Sequence, residues 1–422
     1  MLNLCISAPS SNSGKTILTT ALLYHYKKSV RPFKIGPDYI DPQFHTKVSG
    51  THSVNLDTFM MNDDQVKWLY ENYSDKEVSI LEGVMGFYDG DDKGCSAYSV
   101  SKLLDIPTVM ILDAQGSYIT ISAVLQGLKE YKKDNTIKAV VLNHISSSMH
   151  FELIRNIINK DHKDIVVLGW IKNNIESLSD THLGLDLDDL SKIETISKDV
   201  LEHIDLTLLE SLAKRETNIK SKSYPFEAVE KQKKHLAIVN DGNFSFLYHD
   251  NLQFLKSIFE KVTVVDSIKD EAIPEAADIV YIPGGYVESD KAYSRIKSSK
   301  KFRDSLINHS KTKKIYAECA GLLYLGNCVD EKKMSGILDV DFTLTVRFTR
   351  LGYYYNERGI KGHSFHYTKA VDDSNGVEIL SKKKNGNGTI GSWESADKKV
   401  FGTYLHTMFR NNIQLLKEKF FI

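Results

Sequence analysis

The chain has 422 residues, more than one compact core normally holds, so two or three domains are expected. Its 54 Lys and Arg against 55 Asp and Glu leave a formal net charge of -1, which argues against a general nucleic-acid binder. A content of 41% hydrophobic and 10% aromatic residues is enough for folded cores and too high for a disordered chain.

No apolar run approaches the ~18 residues a membrane helix needs. The opening MLNLCISAPSSNSGKT lacks the basic segment and apolar stretch of a signal peptide. Cys5, Cys95, Cys319 and Cys328 form no CxxC pair and no zinc-like spacing, so a reducing cytoplasm is the expected home.

In chain order, Leu2, Leu4 and Ile6 mark a buried strand, followed by a Ser/Gly loop and a helix over Lys15–Tyr26. Strand-like runs recur at Val78–Leu81, Thr108–Leu112, Ala139–Leu142 and Ile165–Leu168, with helical stretches such as Ser117–Tyr131 and Phe151–Asn159 between them. Such alternation predicts a parallel sheet covered on both faces. From Leu185 to Arg215 the pattern is charged and helical, with Leu187, Leu190, Ile193 and Ile196 on one face. Polar, Lys-rich Glu216–Lys234 reads as a linker.

A second strand series starts at His235–Val239 and continues at Val262–Val265, Ile279–Ile282, Lys314–Tyr316, Gly376–Leu380 and Val400–Tyr404. The whole is α/β: two doubly wound domains, 1–215 and 235–422, joined by 216–234. The tract KKKNGNG (Lys382–Gly388) reads as an exposed hairpin loop.

Ala8–Thr16, APSSNSGKT, joins the first strand to the first helix, where backbone N–H groups and a helix N-terminus can cradle phosphate. Ser13, Gly14, Lys15 and Thr16 are the expected ATP contacts, with Lys15 on the β/γ-phosphates and the Thr16 hydroxyl on Mg²⁺. A full phosphate loop begins with Gly where this chain has Pro9. Two acidic stretches belong at strand ends, where doubly wound sheets bind ligands. They are KIGPDYIDPQFH (Lys34–His45), with Asp38 and Asp41, and LEGVMGFYDG (Leu81–Gly90), with Glu82 and Asp89. Converging carboxylates suit a hard cation, so Thr16, Asp41 and Glu82 are expected on the metal, with Asp38 and Asp89 nearer the substrate.

Together with Asn55–Asp57 (NLD) and His182–Leu185 (HLGL), these motifs resemble the cobyrinic acid a,c-diamide synthase family. Its first domain is similar to dethiobiotin synthetase, and the KIGPDYIDP stretch separates it from the sister cobyric acid synthases.

In the second half, IPGGYVE (Ile282–Glu288) and YAECAGLLYLG (Tyr316–Gly326) are the informative pair. Cys319 sits in a variant of the strand–nucleophile–helix elbow, expected to be exposed at a helix N-terminus that favours its thiolate. Gly284 and Gly285 can present N–H groups to an oxyanion. His406, in FGTYLHTMF, lies at a strand end as a base for Cys319 requires. These elements resemble class I, triad-type glutamine amidotransferases of the cobyrinate and cobyrate branch. The usual third triad member, a Glu two residues after the His, is Met408 here; the resemblance implies as much, since the cobyrinate branch commonly lacks that Glu.

Cys5, Cys95 and Cys328 have no evident base. In GHSFHY (Gly362–Tyr367), Ser364 stands where the family carries Glu. His363 and His366 lack a carboxylate or cysteine to complete a metal set, so they read as structural or substrate-side. Val287 replaces a family Pro.

The resemblance implies an ATP-, Mg²⁺- and glutamine-dependent ligase. Its first domain phosphorylates a carboxylate, and its second releases ammonia along a shielded route to the acyl phosphate. The implied substrate is a tetrapyrrole, cobyrinic acid, amidated at side chains a and c on the way to cobalamin; a homodimer is compatible with it. Hydrogenobyrinic acid and nickel-sirohydrochlorin are the alternative substrates. In a different class, a P-loop ATPase switch carrying an inert docking module explains Gly14-Lys15-Thr16 but leaves Cys319 and His406 without purpose.

Overall fold

The computed structural model describes residues 1–173, 175, 180–181, 184–185, 190–214 and 223–421. They fall into two compact units, Met1–Pro225 and Phe226–Ile422. Of the expected features, His182, Leu183, Leu187, Arg215 and the start of the linker, 216–222, lie outside the described residues.

The first unit runs β1 (Leu2–Ser7), α1 (Lys15–Tyr26), β2 (Val30–Ile35), α2 (Ile40–Ser49), β3 (Val54–Leu56), α3 (Asp63–Tyr73), β4 (Val78–Gly83), α4 (Ala97–Leu103), β5 (Thr108–Asp113), α5 (Thr120–Tyr131), β6 (Ile137–Ile145), α6 (Ser148–Asp161) and β7 (Val166–Lys172). A short hairpin, β8 (Asp180–Thr181) with β9 (Gly184–Leu185), and two helices, α7 (Leu190–Leu201) and α8 (Leu206–Ala213), follow. The sheet has seven strands in the order β3-β2-β4-β1-β5-β6-β7, all parallel. Leu4 and Ile6 of β1 pack with Leu18 and Leu22 of α1 in one core, which Ile193, Ile196 and Val200 of α7 complete.

The helical stretch expected over Leu185–Arg215 is broken between α7 and α8. His203 and Ile204 turn back to β7, where the Trp170 N–H donates to the His203 carbonyl (3.3 Å) and the Asp205 N–H to that of Leu168 (2.8 Å). The Trp170 indole stacks on the His203 ring at 4.0 Å. Backbone comes this close only because residue 169 is Gly, at φ 146.

The second unit contains β10 (Gln232–Val239), α9 (His249–Ile258), β11 (Phe259–Val265), β12 (Ile279–Ile282), α10 (Asp290–Ile296), α11 (Lys300–Ser310), β13 (Lys314–Glu318), α12 (Ala320–Leu325), β14 (Cys328–Val329), β15 (Lys332–Lys333), β16 (Asp341–Leu344), β17 (Arg350–Asn356), β18 (Lys361–His366), β19 (Thr368–Ala370), β20 (Gly376–Ser381), β21 (Gly388–Glu394), β22 (Val400–Thr403) and α13 (Ile413–Leu416). Its nine-stranded sheet has the order β11-β10-β12-β13-β22-β21-β20-β17-β18. The half through β22 is parallel, and the half beyond it is antiparallel. Of the antiparallel half, β17 and β18 were not foreseen, because short half-exposed strands carry no continuous apolar run. Lys382–Gly388 spans the β20–β21 hairpin, and β10 begins at Gln232, within the expected linker.

A Cβ on residue 169 would overlap the His203 carbonyl oxygen. Gly169→Ala should cost the first unit about 2–3 kcal/mol through overpacking and a disfavoured φ, read as a lower midpoint in urea denaturation.

Candidate functional site

The turn from β1 into α1 passes through Gly14 at φ 101, and a Cβ there would overlap the Asn143 side-chain amide. Asn143, near the end of β6, donates from Nδ2 to the Ser13 carbonyl at 3.0 Å. The Ser13 hydroxyl donates to the Ser10 carbonyl at 3.1 Å, and Lys15 Nζ folds over the loop to the same oxygen at 2.8 Å. Burial lowers the pKa of Lys15. Pro9, the departure from the usual glycine, is backed by Gly86, whose hypothetical Cβ would overlap the Pro9 carbonyl. The Phe87 N–H donates to the Ala8 carbonyl at 2.8 Å. The loop after β4 thus braces the phosphate loop from outside.

Glu82, near the end of β4 and 1% exposed, joins the two acidic segments. Its Oε1 accepts from the Thr16 hydroxyl at 3.1 Å and from Lys34 Nζ at 3.1 Å. Its Oε2 lies 2.9 Å from His45 Nε2. Burial alone would raise this carboxyl, but Lys34 and His45 outweigh it and hold it well below the ordinary carboxylate range.

Lys34, also 1% exposed, pairs with Asp41 and lies 3.6 Å from Asp38 Oδ2. Burial pulls the ammonium down, yet Asp41, Glu82 and Asp38 together raise it above its ordinary value. Asp41 is pushed up to about 6, by burial first, against the pull of Lys34.

The remaining acids organise backbone. Asp38 Oδ1 accepts from the N–H groups of Ile40 (2.8 Å) and Asp41 (3.2 Å) at the start of α2. Asp89 Oδ2 accepts from the Gly86 N–H at 2.8 Å. Asn55 holds the KIGPD turn by donating to the carbonyls of Gly36 (3.0 Å) and Asp38 (2.7 Å).

Octahedral Mg²⁺ at ~2.0–2.1 Å from its ligands sets neighbouring ligand oxygens about 2.9 Å apart. The Thr16 hydroxyl and Glu82 Oε1, 3.1 Å apart, fit one such edge. Asp41, expected beside them on the ion, is engaged by the Lys34 ammonium. Among the described residues no three His, Cys, Asp or Glu converge as a metal site, so further ligands would come from phosphate and water.

In the second unit, Cys319 links β13 to α12 at φ 46 and ψ -104, a strained elbow for a side chain with a Cβ. The expectation of an exposed cysteine with a favoured thiolate is corrected. Cys319 is 5% exposed, and burial first, then the charge of Glu288, pushes its thiol up. The helix behind it, α12, has only six residues, a weak counterweight to burial.

His406 Nδ1 lies 3.2 Å from Glu318 Oε2. Glu318 also accepts from the Tyr281 hydroxyl at 3.0 Å and the Tyr316 hydroxyl at 3.2 Å. A Cβ on Gly284 would overlap the His406 ring, and one on Gly285 the Asn243 carbonyl, so Gly284 lets the turn after β12 run against the histidine and Gly285 lets it run against Asn243. His363 pairs with His406 through backbone bonds in both directions, each 2.8 Å. The His366 ring stacks on Tyr404 at 3.7 Å, its Nδ1 2.8 Å from the Thr368 carbonyl. Burial pushes both rings down to about 3.

Sequence reasoning put Thr16 and Glu82 on one site, and they lie 3.1 Å apart; it gave His406 as the base of Cys319 and Gly284 as an oxyanion donor, and the structure sets Gly284 against the His406 ring. It missed Lys34, His45, Asn143 and Glu318. Two signals were available: a lysine between Phe33 and Ile35 in the VRPFKI strand, and a glutamate directly before Cys319 on an apolar strand.

Residues 235–413 match the CobB/CobQ-like glutamine amidotransferase domain. With a phosphate loop in its other unit, the chain is a glutamine-dependent amide ligase. It is 30% identical to the cobyrinate a,c-diamide synthase of Listeria monocytogenes over 100% of this chain and 99% of that one. It is 34% identical to that of Streptococcus sanguinis over 99% and 98%. The chain belongs to the cobyrinate a,c-diamide synthase family. Among solved structures, HypB from Helicobacter pylori in complex with nickel covers 51% of this chain and 91% of its own, at 14% identity and a TM-score of 0.30.

Lys34→Met leaves three carboxylates without their cation and should cost about 3–5 kcal/mol at neutral pH. The penalty should shrink below pH 6, because Asp41, already at about 6 and raised further without Lys34, then binds a proton. Denaturation midpoints at pH 5 and pH 7.5 check both.

Proposed function

We propose that this chain amidates the a and c side-chain carboxylates of cobyrinic acid, in cobalamin biosynthesis, with ATP and glutamine as co-substrates. A carboxylate oxygen attacks the γ-phosphorus of ATP and ADP leaves, giving an acyl phosphate. Ammonia then attacks the acyl carbon, phosphate leaves and a proton is lost. Lys15 swings from the Ser10 carbonyl to the β/γ-phosphates, and Ser13 and Gly14 present backbone N–H groups to them. Lys34, fixed among Asp38, Asp41 and Glu82, adds positive charge beside the transferred group, while Asp38 and Asp89 shape the loops on the substrate side. Bound at Thr16 and Glu82, Mg²⁺ supplies charge neutralisation on the phosphates.

In the second unit the Cys319 sulfur attacks the glutamine amide carbon while His406 takes the thiol proton. Collapse of the adduct expels ammonia, and water hydrolyses the thioester to glutamate. The Gly284–Gly285 pair serves the oxyanion. Burial raises the Cys319 thiol, so its attack depends on a base to take the proton. Ammonia must meet the acyl phosphate as the free base, since ammonium has no lone pair.

What supports this reading is a strained, buried cysteine at the β13–α12 elbow and a carboxylate-held His406 in the same unit, in a chain whose other unit carries the phosphate-loop motif. A non-glycine residue in such a backbone conformation costs about 1–3 kcal/mol, a cost an inert docking module has no reason to keep.

Cys319→Ala should abolish glutamine-supported amidation and retain amidation with added ammonium salt. Product mass spectrometry after offering cobyrinic acid, hydrogenobyrinic acid and nickel-sirohydrochlorin reads both this and the ring. Two carboxyl-to-amide conversions on cobyrinic acid are expected. Loss of the ammonia-driven reaction in a folded variant would overturn the division of labour.

A further inference from the structure

The segment after His406 holds no acid for the base to lean on. Met408, where the triad-type pattern puts its glutamate, is apolar and 4% exposed. Yet His406 Nδ1 has a carboxylate partner within 3.2 Å, arriving from a different strand. We propose that Glu318 is the positioning carboxylate of His406, so that the third member of the glutaminase triad is the residue immediately before the nucleophile. This rests on reading His406 as the base of Cys319.

Glu318 is 1% exposed and ends β13, paired opposite Thr403 of β22, three residues before His406. A buried carboxylate is tolerated only when its lone pairs are engaged. Tyr281 and His406 occupy Oε2, and Tyr316 occupies Oε1. Burial first, then the charge of Glu318, pushes both phenols far above their ordinary value, so they remain donors and keep the carboxylate in place.

With the carboxylate facing Nδ1, that nitrogen carries the hydrogen and Nε2 keeps the lone pair a base needs. The same negative charge favours the imidazolium that forms when the thiol proton is taken. On its other flank the ring is confined by Gly284, where no Cβ fits. Position 318 is one peptide bond from Cys319, whose N–H donates to the Thr403 carbonyl at 2.7 Å, while His406 is fixed by its paired backbone bonds to His363.

The test uses the full chain, with glutaminase kinetics and ammonia-driven amidation measured on each variant. Glu318→Gln keeps the shape and removes the charge. It should lower glutaminase kcat about 10²–10⁴-fold with KM for glutamine within about 3-fold, while the ammonia-driven rate stays at the parent level. A glutaminase kcat within about 3-fold of the parent would overturn the proposal. Should E318Q lose the ammonia reaction as well, E318D decides. It keeps the charge at a shorter reach, and a kcat at least about 10-fold down with amidation intact supports the role, whereas a parent-like kcat overturns it. His406→Ala separates the layers. An active H406A removes the base assignment itself, whereas an inactive H406A beside an active E318Q removes only Glu318.

Discussion

Each unit sets a glutamate in the dry interior at the end of a central parallel strand, Glu82 on β4 and Glu318 on β13. An ionised carboxylate there is expensive unless several donors surround it, and that constraint explains much of what lies nearby. Around Glu82 stand Lys34, His45 and Thr16; around Glu318 stand Tyr281, Tyr316 and His406. The first set is cationic and borders a phosphate-binding turn. The second consists of two phenols and an imidazole, with no lysine or arginine among them.

Much of the architecture was legible because its signals are local. The Lys15–Tyr26 helix was read to the residue, since a Ser/Gly turn fixes its start and an apolar face its course. Most parallel strands announced themselves as continuous apolar runs; β2, interrupted by Arg31 and Lys34, and the three-residue β3 did not. In the antiparallel half of the second sheet, β17 and β18 did not either, because they mix buried with half-exposed positions. Gly169 carried no pattern that foretells the return of His203; only long-range packing reveals it.

The site was legible to the same degree. Motif residues bound by chain-local geometry, Gly14 through Thr16 and the Cys319 elbow, stand where their spacing put them. Asp38 and Asp89 show the limit of reading acids from loops, since each spends one oxygen on capping nearby N–H groups. The misjudged state of Cys319 has a plain cause. Elbow position was taken to imply exposure, whereas the packed residues around β12 and β13 enclose the sulfur.

On the assignment proposed for Glu318, seating the base's anchor and the nucleophile on adjoining residues has an inheritance-level consequence. Insertions, deletions or exchanges of the tail downstream of β22 can remodel the region around Met408 without separating sulfur from anchor, because nothing can be spliced between them. Only the histidine must find its way back, and β22 delivers it through pairing with β13.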